Sequence, residues 1–419
     1  MNKPVFSKYQ VFVIALLALL QFTVVLDFIV LSPLGAQLMR VLHLTTSQFG
    51  MAVSGYAFSA GISGILAAGF ADQFDRRKLL IFFYSGFIAG TFLCSIAPDY
   101  HFLLMARIIT GLFGGVISSI SFAIITDIFR MEVRGRVLGF VQMAFATSQV
   151  MGVPVSLYFA NRVGWHAPFF LITAVSVIEM AVIIFFMKPV NKHLEIQKDT
   201  TAFRHLINTA VHPNYVLAFG TNILLITGGY MLMPFGSAFS VNNLGIAIKD
   251  LPLLYFITGV FSMISGPLIG RLTDAIGKLK VFVFGSILSV FIILIYCNLG
   301  PSKLWFVTFL NTIMMIGILS RIISSSALMT AVPEKEQRGA FMGINSSIQQ
   351  VAGGVASVIA GLIIVQNSRG ALKHYDTIGY IVSASMLISM FLMRIINRYV
   401  HRKSRQEQPA EFSPVPAEF

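Results

Sequence analysis

Four ionisable residues lie inside long apolar runs of the sequence: Asp27, Arg107, Glu179 and Arg321. A charged side chain at the centre of a membrane helix costs about 2.5–3.5 kcal/mol on insertion scales, so each of the four marks a function or a pairing. An acid that meets a base in such surroundings can alternate between an ion pair and a protonated, unpaired form. The sequence therefore predicts proton chemistry, provided that the elements carrying these residues bring them together.

Twelve apolar runs form those elements. Hydrophobic residues make up 56% of the chain and charged residues 11%, whereas a soluble globular domain has roughly 25% charged residues. Each run has about 19 to 25 residues, enough for a helix to cross a hydrocarbon core of about 30 Å. We expect helices rather than barrel strands, because the runs are continuous and do not alternate. The runs, numbered as spans 1 to 12, cover 11–33, 50–70, 79–97, 102–126, 137–160, 168–187, 214–236, 251–270, 280–298, 304–328, 341–364 and 377–397.

The positive charge of the chain indicates its orientation in a membrane. The net charge is +13, and 22 of the 30 Lys and Arg residues lie in segments on the same side as the amino terminus, against 6 on the other side. Basic residues accumulate in cytoplasmic loops, so both termini are expected on the cytoplasmic side of a bacterial-type inner membrane. The charge is explained by topology and gives no reason to expect nucleic acid. The first run carries Asp27 and has no small-residue cleavage site, so we interpret it as a retained span rather than a signal peptide.

Two loop motifs recur at nearly the same offset, which indicates a chain built from two similar halves. Asp72 and Asp274 are 202 residues apart, and the pairs that begin at Arg134 and Arg338 are 204 apart. The longest polar break, 188–213, falls between spans 6 and 7. We therefore predict a six-helix bundle over 1–187, a cytoplasmic linker over 188–213, a second six-helix bundle over 214–400 and a disordered cytoplasmic tail over 401–419.

These motifs resemble those of the major facilitator superfamily. Its loop between spans 2 and 3 reads roughly G-x-x-x-D-[RK]-x-G-[RK]-[RK], and this chain keeps the acid and the two final basic residues at Asp72, Arg76 and Arg77. The segment of span 4 from Arg107 to Gly114 is similar to the family's R-x-x-x-G-x-x-G signature, frequent in proton-linked members. Asp27 follows Val24-Val25-Leu26 in span 1, as in bacterial twelve-span drug and sugar efflux antiporters. The resemblance implies two bundles that rock about a cavity lined mainly by spans 1, 4, 7 and 10.

Asp27 and Arg107 are the candidate proton-coupling pair. Span 1 runs outward and span 4 inward, so both residues are expected in the outer half of the membrane at similar depth. A neighbouring Arg keeps a carboxylate ionised. The hypothesis is therefore that Asp27 is paired with Arg107 in one conformation and takes a proton in another, where the two are apart. The alternatives are a permanent salt bridge that locks the bundle and no contact at all.

Other polar residues of the spans are candidates for contact with a solute. Asn222 and Tyr230 share a face of span 7, because they are eight residues apart, and either could instead bond a neighbouring helix. Arg321 of span 10, with Ser324 and Ser325 one turn on, could hold an anionic or hydroxyl-rich solute, or Arg321 could extend to the inner surface. Glu179 of span 6 is a candidate second proton site, or else a protonated acid that forms an interhelical hydrogen bond, and the sequence names no partner for it.

Charged residues at the inner helix ends are candidates for a conformational latch, which would hold the helix ends together in the outward-open state and release them as the bundles rock. The alternative is simple anchoring by basic residues. The candidates are Asp72, Arg76, Arg77, Asp127, Arg134, Asp274 and Arg338.

The sequence offers no other chemistry. It has no GxxxxGK[ST] phosphate loop, and its histidines show no H-E-x-x-H spacing for zinc, so we expect no cofactor, no metal and no enzymatic activity. Cys94 and Cys297 both lie in apolar spans and are interpreted as small buried residues without a disulfide.

The expected function is export of a small organic compound in exchange for protons, by a monomer in the lipid bilayer. Within transport, the alternatives are proton symport and uncoupled facilitation. From a different class, the alternatives are a transporter-like receptor and a lipid scramblase. The substrate stays open, since Asp27 suits a cation whereas Arg107 and Arg321 suit an anion.

Overall fold

The computed structural model is an all-α protein with twelve helices that are long and apolar enough to span a membrane, within the residues that it describes. These are 6–70, 73–191, 194, 209–334, 337–368 and 370–407. The predicted fold class is confirmed. Spans 1 to 6 comprise Lys8–Val30, Thr46–Phe70, Arg76–Ser95, Tyr100–Ile128, the pair Met131–Thr147 and Val153–Val163, and Ala167–Phe186. Spans 7 to 12 comprise Pro213–Leu232, Leu251–Ile276, Lys278–Cys297, Leu304–Met329, Arg338–Ile363 and Tyr375–Glu407.

The ends of the helices differ from the ends of the predicted apolar runs at places where proline or basic residues set the helix end. Span 1 ends at Val30 and a short helix, Gly35–Val41, follows Pro33. Span 7 ends in the same way, with Pro234 before the short helix Gly236–Asn242. Proline has no N–H to continue the hydrogen-bond ladder, so the chain turns at both places. Apolar content alone does not show these turns.

Two more departures from regular helix were not predicted. In span 5 a π-helical turn, Ser148–Gly152, precedes Pro154 and joins the two helical segments. Between spans 11 and 12, strands β1 (Val365–Gln366) and β2 (Leu372–Lys373) form a small antiparallel hairpin. The Asn243 side chain donates to the Leu372 carbonyl oxygen and accepts from the Leu372 N–H.

The predicted domain limits stay predictions, although some of their residues can be placed. Most of the linker 188–213 lies outside the described residues. Residues 401–407 were assigned to a disordered tail, but span 12 continues as a helix to Glu407, and the rest of the tail is not described. The physical reason is a basic anchor: Lys403 donates from Nζ to the carbonyl oxygens of Val332 and Pro333 at 3.2 and 3.0 Å.

Small residues of span 4 bring spans 2 and 4 into close contact. A Cβ added to Gly111 would lie 2.3 Å from the Tyr56 carbonyl oxygen, and one added to Gly115 would lie 2.6 Å from the Ala60 Cα atom. The helix backbones therefore touch at these glycines, as small residues allow in membrane bundles. The glycine face of span 4 thus serves packing and leaves no room there for a solute.

We expect Gly111→Ala to destabilise the solubilised protein by about 1–3 kcal/mol, the usual cost of overpacking. Gly220 of span 7 is the matched control, because an added Cβ there meets no atom within 4 Å. Alanine is the better helix former, so Gly220→Ala is expected to be neutral or stabilising. Thermal unfolding in detergent measures both variants. Equal melting temperatures would contradict the packing described here.

The two halves of the molecule meet closely at one side and along spans 2 and 11, where a Cβ added to Gly61 would lie 3.1 Å from the Ser347 carbonyl oxygen. Twelve crossings place both termini on one face, here named the terminal face, and the opposite side is named the far face. At the far face, Ala36 donates its N–H to Ser237 Oγ at 3.2 Å, and Asn161 donates to the Ile248 carbonyl oxygen at 3.2 Å. Thr46 likewise bonds the Ile364 carbonyl oxygen there. These bonds join the halves and close the far face.

Spans 5 and 8 separate toward the terminal face. A Cβ added to Gly259 would lie 2.9 Å from the Val150 Cα atom. Gly266 and Gly270 lie two and three turns nearer to the terminal face on span 8, and a Cβ added to either would meet no atom within 4 Å.

Candidate functional site

Asp27 of span 1 and Arg107 of span 4 form an ion pair inside the first half. Arg107 Nη1 lies 2.7 Å from Asp27 Oδ2 and 3.3 Å from the Asp27 carbonyl oxygen. The Thr91 hydroxyl of span 3 donates to the other carboxylate oxygen at 3.2 Å. The Asp27 side chain is 0% exposed and the Arg107 side chain 1% exposed. The structure thus brings together the two residues that sequence depth paired, while their role in proton coupling stays a prediction.

Close packing of spans 2, 3 and 4 holds the pair in place. A Cβ at Gly90 of span 3 would lie 2.7 Å from the Thr110 nitrogen, so only glycine lets span 4 approach here. The Arg107 guanidinium carbon lies 4.7 Å from the centre of the Tyr56 ring, within range of a cation–π contact. Arg107 Nε is buried and has no acceptor among the described residues.

A buried ion pair of this kind can change state when a proton binds. Removing one partner of such a pair costs about 3–5 kcal/mol, because the other charge stays buried without compensation. A proton on Asp27 neutralises the carboxylate and weakens its bond to Arg107. The guanidinium then keeps the Asp27 carbonyl oxygen and the Tyr56 ring as neighbours that favour its charge.

Aromatic rings lead from the ion pair to the second half. Phe28, which follows Asp27 in the chain, lies 5.1 Å from Tyr56 and 6.0 Å from Tyr230 of span 7, measured between ring centroids. The Tyr230 hydroxyl donates to Gln350 Oε1 of span 11 at 3.5 Å. Sequence reasoning selected Tyr230 but missed Phe28 and Tyr56. Phe28 could have been found by its place next to Asp27, whereas Tyr56 carries no signal in the sequence.

The five predicted cavity residues do not form one cluster. Asn222 donates to Asn345 Oδ1 of span 11 at 2.6 Å, and Tyr230 contacts Phe28 and Gln350. Their contact with a solute stays a prediction.

The three candidates on span 10 point into the second half. Arg321 donates to Ser286 of span 9 and Ser389 of span 12, both at 3.1 Å. It is 2% exposed, so it does not extend to the inner surface. Ser324 lies 3.3 Å from the Thr273 hydroxyl, and Ser325 bonds a carbonyl oxygen of its own helix.

Glu179 of span 6 points into the first half and has partners that the sequence did not name. Its Oε2 accepts a hydrogen bond from the Tyr84 hydroxyl and lies 3.1 Å from the Thr23 hydroxyl oxygen. Its Oε1 is buried and has no partner among the described residues. Spans 1, 3 and 6 thus share a second buried acidic cluster, one helical turn along span 1 from Asp27.

The predicted latch residues that the structure describes in the first half fasten helix ends of that half to each other. Arg76 and Asp127 form an ion pair at 3.2 Å between the ends of spans 3 and 4. Arg77 donates to carbonyl oxygens at the end of span 6, and Arg134 to the Phe129 and Thr126 carbonyl oxygens.

The remaining latch candidates are Asp72, Asp274 and Arg338. Asp274 is exposed, Asp72 lies outside the described residues, and so does the side chain of Arg338. A role in latching stays a prediction for all seven. Sequence reasoning missed Asp75, which departs from the family motif. Its carboxylate caps span 3 through the Lys78 N–H and also accepts the Val190 N–H, both at 3.0 Å.

We expect a double-mutant cycle on Arg76→Ala and Asp127→Ala to give a coupling free energy of about 1 kcal/mol. Both side chains are largely shielded, at 6% and 19% exposure, so the attraction exceeds that of a fully solvated pair. Thermal stability of the solubilised single and double variants measures it. Additive effects of the two substitutions would show that the ion pair contributes nothing.

Comparison with known proteins decides the family. The family model described as Major Facilitator Superfamily matches residues 17–239 and again 218–418. The chain belongs to the Major Facilitator Superfamily. The two matched ranges overlap at 218–239 and together cover nearly the whole chain. Its members are transporters rather than enzymes, so this chain is an integral multi-pass membrane protein that transports small molecules.

Curated relatives from Bacillus subtilis (strain 168) support this. The chain is 23% identical to "Uncharacterized MFS-type transporter YceJ" over 390 residues, which cover 91% of this chain and 96% of that one. It is 23% identical to "Multidrug resistance protein 2" over 299 residues, covering 69% and 74%.

Solved structures share the fold at low sequence identity. A mutant of the nucleoside transporter NupG superposes with a TM-score of 0.73 at 13% identity, covering 92% of this chain and 99% of that one. A bacterial homolog to the human lysosomal transporter Spinster, in an inward-facing and occupied conformation, gives 0.69 at 14% identity, covering 98% and 100%.

Proposed function

We propose that this transporter exports a small organic compound in exchange for protons by alternating access. The observation that carries the proposal is the fully buried Asp27–Arg107 ion pair, which joins two helices of the first half. A proton on a carboxylate held in this way removes its charge and weakens its bond to Arg107. Proton binding and a change of helix contacts are therefore coupled.

In the proposed cycle the aromatic contacts carry that event to the second half. A proton from water binds Asp27 Oδ2, and the Arg107 guanidinium is freed to move on the Tyr56 ring. Tyr56 contacts Phe28, and Phe28 contacts Tyr230 across the boundary between the halves. A shift of Arg107 thereby acts on the side chains between the two bundles, where a solute would bind.

The relatives favour an amphipathic organic substrate. They include proteins named Multidrug resistance protein 1 and Multidrug resistance protein 2. The aromatic rings of Phe28, Tyr56 and Tyr230 also suit compounds with apolar surface. Symport and uncoupled facilitation are the alternatives within transport. A scramblase or a receptor would not need the buried ion pair to change state.

We place both termini in the cytoplasm, because 22 of 30 basic residues lie on their side of the membrane. The far face, closed by contacts between the halves, is then extracellular, and the conformation is inward-facing. A monomer suffices for the proposed cycle, since both halves belong to one chain. Membrane-impermeant thiol labelling of Asn161→Cys in intact cells tests the orientation, with wild type as control because Cys94 and Cys297 are buried. We expect labelling without permeabilisation, and labelling only after it would reverse the orientation.

Reconstitution tests the function itself. Sealed vesicles that contain the protein and a pH-sensitive dye are exposed to a library of organic solutes. We expect at least one class of amphipathic solute to trigger proton movement that empty vesicles lack. Solute flux without proton movement would show a facilitator instead.

A further inference from the structure

The acidic cluster around Glu179 has more close oxygen–oxygen contacts than its two hydroxyl hydrogens can fill. The Tyr84 hydroxyl donates to Glu179 Oε2. The Thr23 hydroxyl lies 3.1 Å from the same oxygen, but it also lies 3.0 Å from the Leu20 carbonyl oxygen of its own helix. A threonine hydroxyl has one hydrogen, and a carbonyl oxygen can only accept. If Thr23 donates to Leu20, the contact between Thr23 and Glu179 needs a hydrogen from Glu179.

A proton on Glu179 completes a continuous chain of donors. Tyr84 donates to Glu179, Glu179 donates to Thr23, and Thr23 donates to the Leu20 carbonyl oxygen, so each hydroxyl hydrogen has one acceptor. The Thr23 hydroxyl also lies 3.2 Å from the Tyr84 hydroxyl and 3.3 Å from the Leu19 carbonyl oxygen, so its single hydrogen cannot serve all of these contacts, and a proton on Glu179 adds a donor to the cluster. The geometry therefore favours a neutral carboxylic acid at Glu179 in this conformation.

The surroundings of Glu179 offer no charge that would replace the proton. The residue is 1% exposed, its Oε1 is buried, and it has no ion pair within the described part of the chain. An isolated buried carboxylate is costly and neutralises by binding a proton. On span 3 the titratable neighbour is Tyr84, while Arg77 is bonded to carbonyl oxygens at the end of span 6.

The other helices packed against span 6 supply no counter-charge either, as far as the described residues extend. Span 1 presents Thr23, and Asp27 lies one turn further with its carboxylate already bonded to Arg107. Tyr158 and Arg162 of span 5 are exposed at the far face and contact each other.

We propose that Glu179 is a second proton-binding site, with its proton held between Tyr84 and Thr23 and separate from the Asp27–Arg107 pair. Binding transfers one proton from water to the carboxylate, and no other covalent bond is made or broken. The two sites share the interface of spans 1 and 3, since Thr23 and Asp27 are four residues apart and lie on one face of span 1. The Phe87 ring stacks on Tyr84, with centroids 5.6 Å apart. A displacement of span 1 at Asp27 therefore reaches Thr23 and the proton on Glu179.

Infrared difference spectroscopy tests proton binding without any transport. The purified protein in lipid is stepped between acidic and alkaline buffer, and the carbonyl stretch of protonated carboxylic acids is recorded. We expect a band that Glu179→Gln removes and that Asp27→Asn leaves in place. Tyr84→Phe removes one hydrogen bond to the acid and is expected to shift the same band.

A carboxylic-acid band unchanged in Glu179→Gln would overturn the proposal. If Glu179→Gln does not fold, Tyr84→Phe decides, because an unshifted band would place the proton elsewhere. The outcome is independent of proton-coupled export. A band assigned to Glu179 in a protein that proves to be an uncoupled facilitator would support this site and refute the proposed function.

Discussion

Replacing Asp27 with Asn is expected to abolish uphill transport driven by a pH difference, while exchange of solute between equal pools continues. Asparagine has nearly the same shape as aspartate but cannot bind and release a proton. It also removes the negative charge of the carboxylate, whose oxygen lies 2.7 Å from Arg107. A pH difference of one unit drives about a tenfold solute gradient for each proton exchanged. We expect the Asp27→Asn variant to build no solute gradient when a pH difference is imposed. Accumulation of labelled solute in vesicles with an imposed pH difference measures it, and counterflow at equal pH measures the exchange that remains.

Asp250→Asn is the matched control for this substitution. Asp250 is also an aspartate, but it lies beside span 8 at the far face, away from the ion pair. We expect it to transport as the wild type does. If Asp27→Asn kept full proton-driven accumulation, Asp27 would be structural, and the ion pair would only fasten span 1 to span 4.

A cross-link between Asn161→Cys and Ile248→Cys is expected to stop transport completely. Asn161 Nδ2 lies 3.2 Å from the Ile248 carbonyl oxygen, so a short cleavable bifunctional thiol reagent can span the two positions. Alternating access requires the far face to open in each cycle, and the cross-link holds spans 5 and 8 together there. Counterflow is expected to fall to the level of empty vesicles and to recover after the cross-link is cleaved by a reducing agent.

Each single cysteine variant, treated with the same reagent, controls for modification alone. The two native cysteines are buried, so they contribute little background reaction. Full transport by protein that is shown to be cross-linked would mean that the far face does not open between spans 5 and 8, and the rocking of two bundles would be refuted.

The residues that sequence reasoning placed correctly are those whose depth could be read along a helix. Asp27 and Arg107 are each a known distance from a helix end, and the alternating direction of spans 1 and 4 brings them to one level. The direction in which a side chain points across the bundle cannot be read in this way. Glu179 could be located within span 6, but Tyr84 and Thr23 became its partners only when the lateral order of the helices was known.

Local backbone signals explain the other differences. Pro33 and Pro234 follow the ends of spans 1 and 7 at Val30 and Leu232, although the predicted apolar runs extend to 33 and 236. Arg321 was a candidate for solute binding because it is a charged residue within span 10. In the structure it bonds Ser286 and Ser389 inside the second half. Hydropathy counts the apolar neighbours of such a residue, but it carries no information on which helix supplies its hydrogen-bond partners.

The balance between a pH gradient and a solute gradient tests proton exchange most directly. Vesicles with the reconstituted transporter are held at zero membrane potential, and the solute ratio at which net flux vanishes is measured at several pH differences. Export in exchange for protons predicts that solute accumulates on the acidic side, with a ratio that changes about tenfold per pH unit for each proton exchanged. A ratio that stays at one for every pH difference would contradict proton coupling, and accumulation on the alkaline side would show symport.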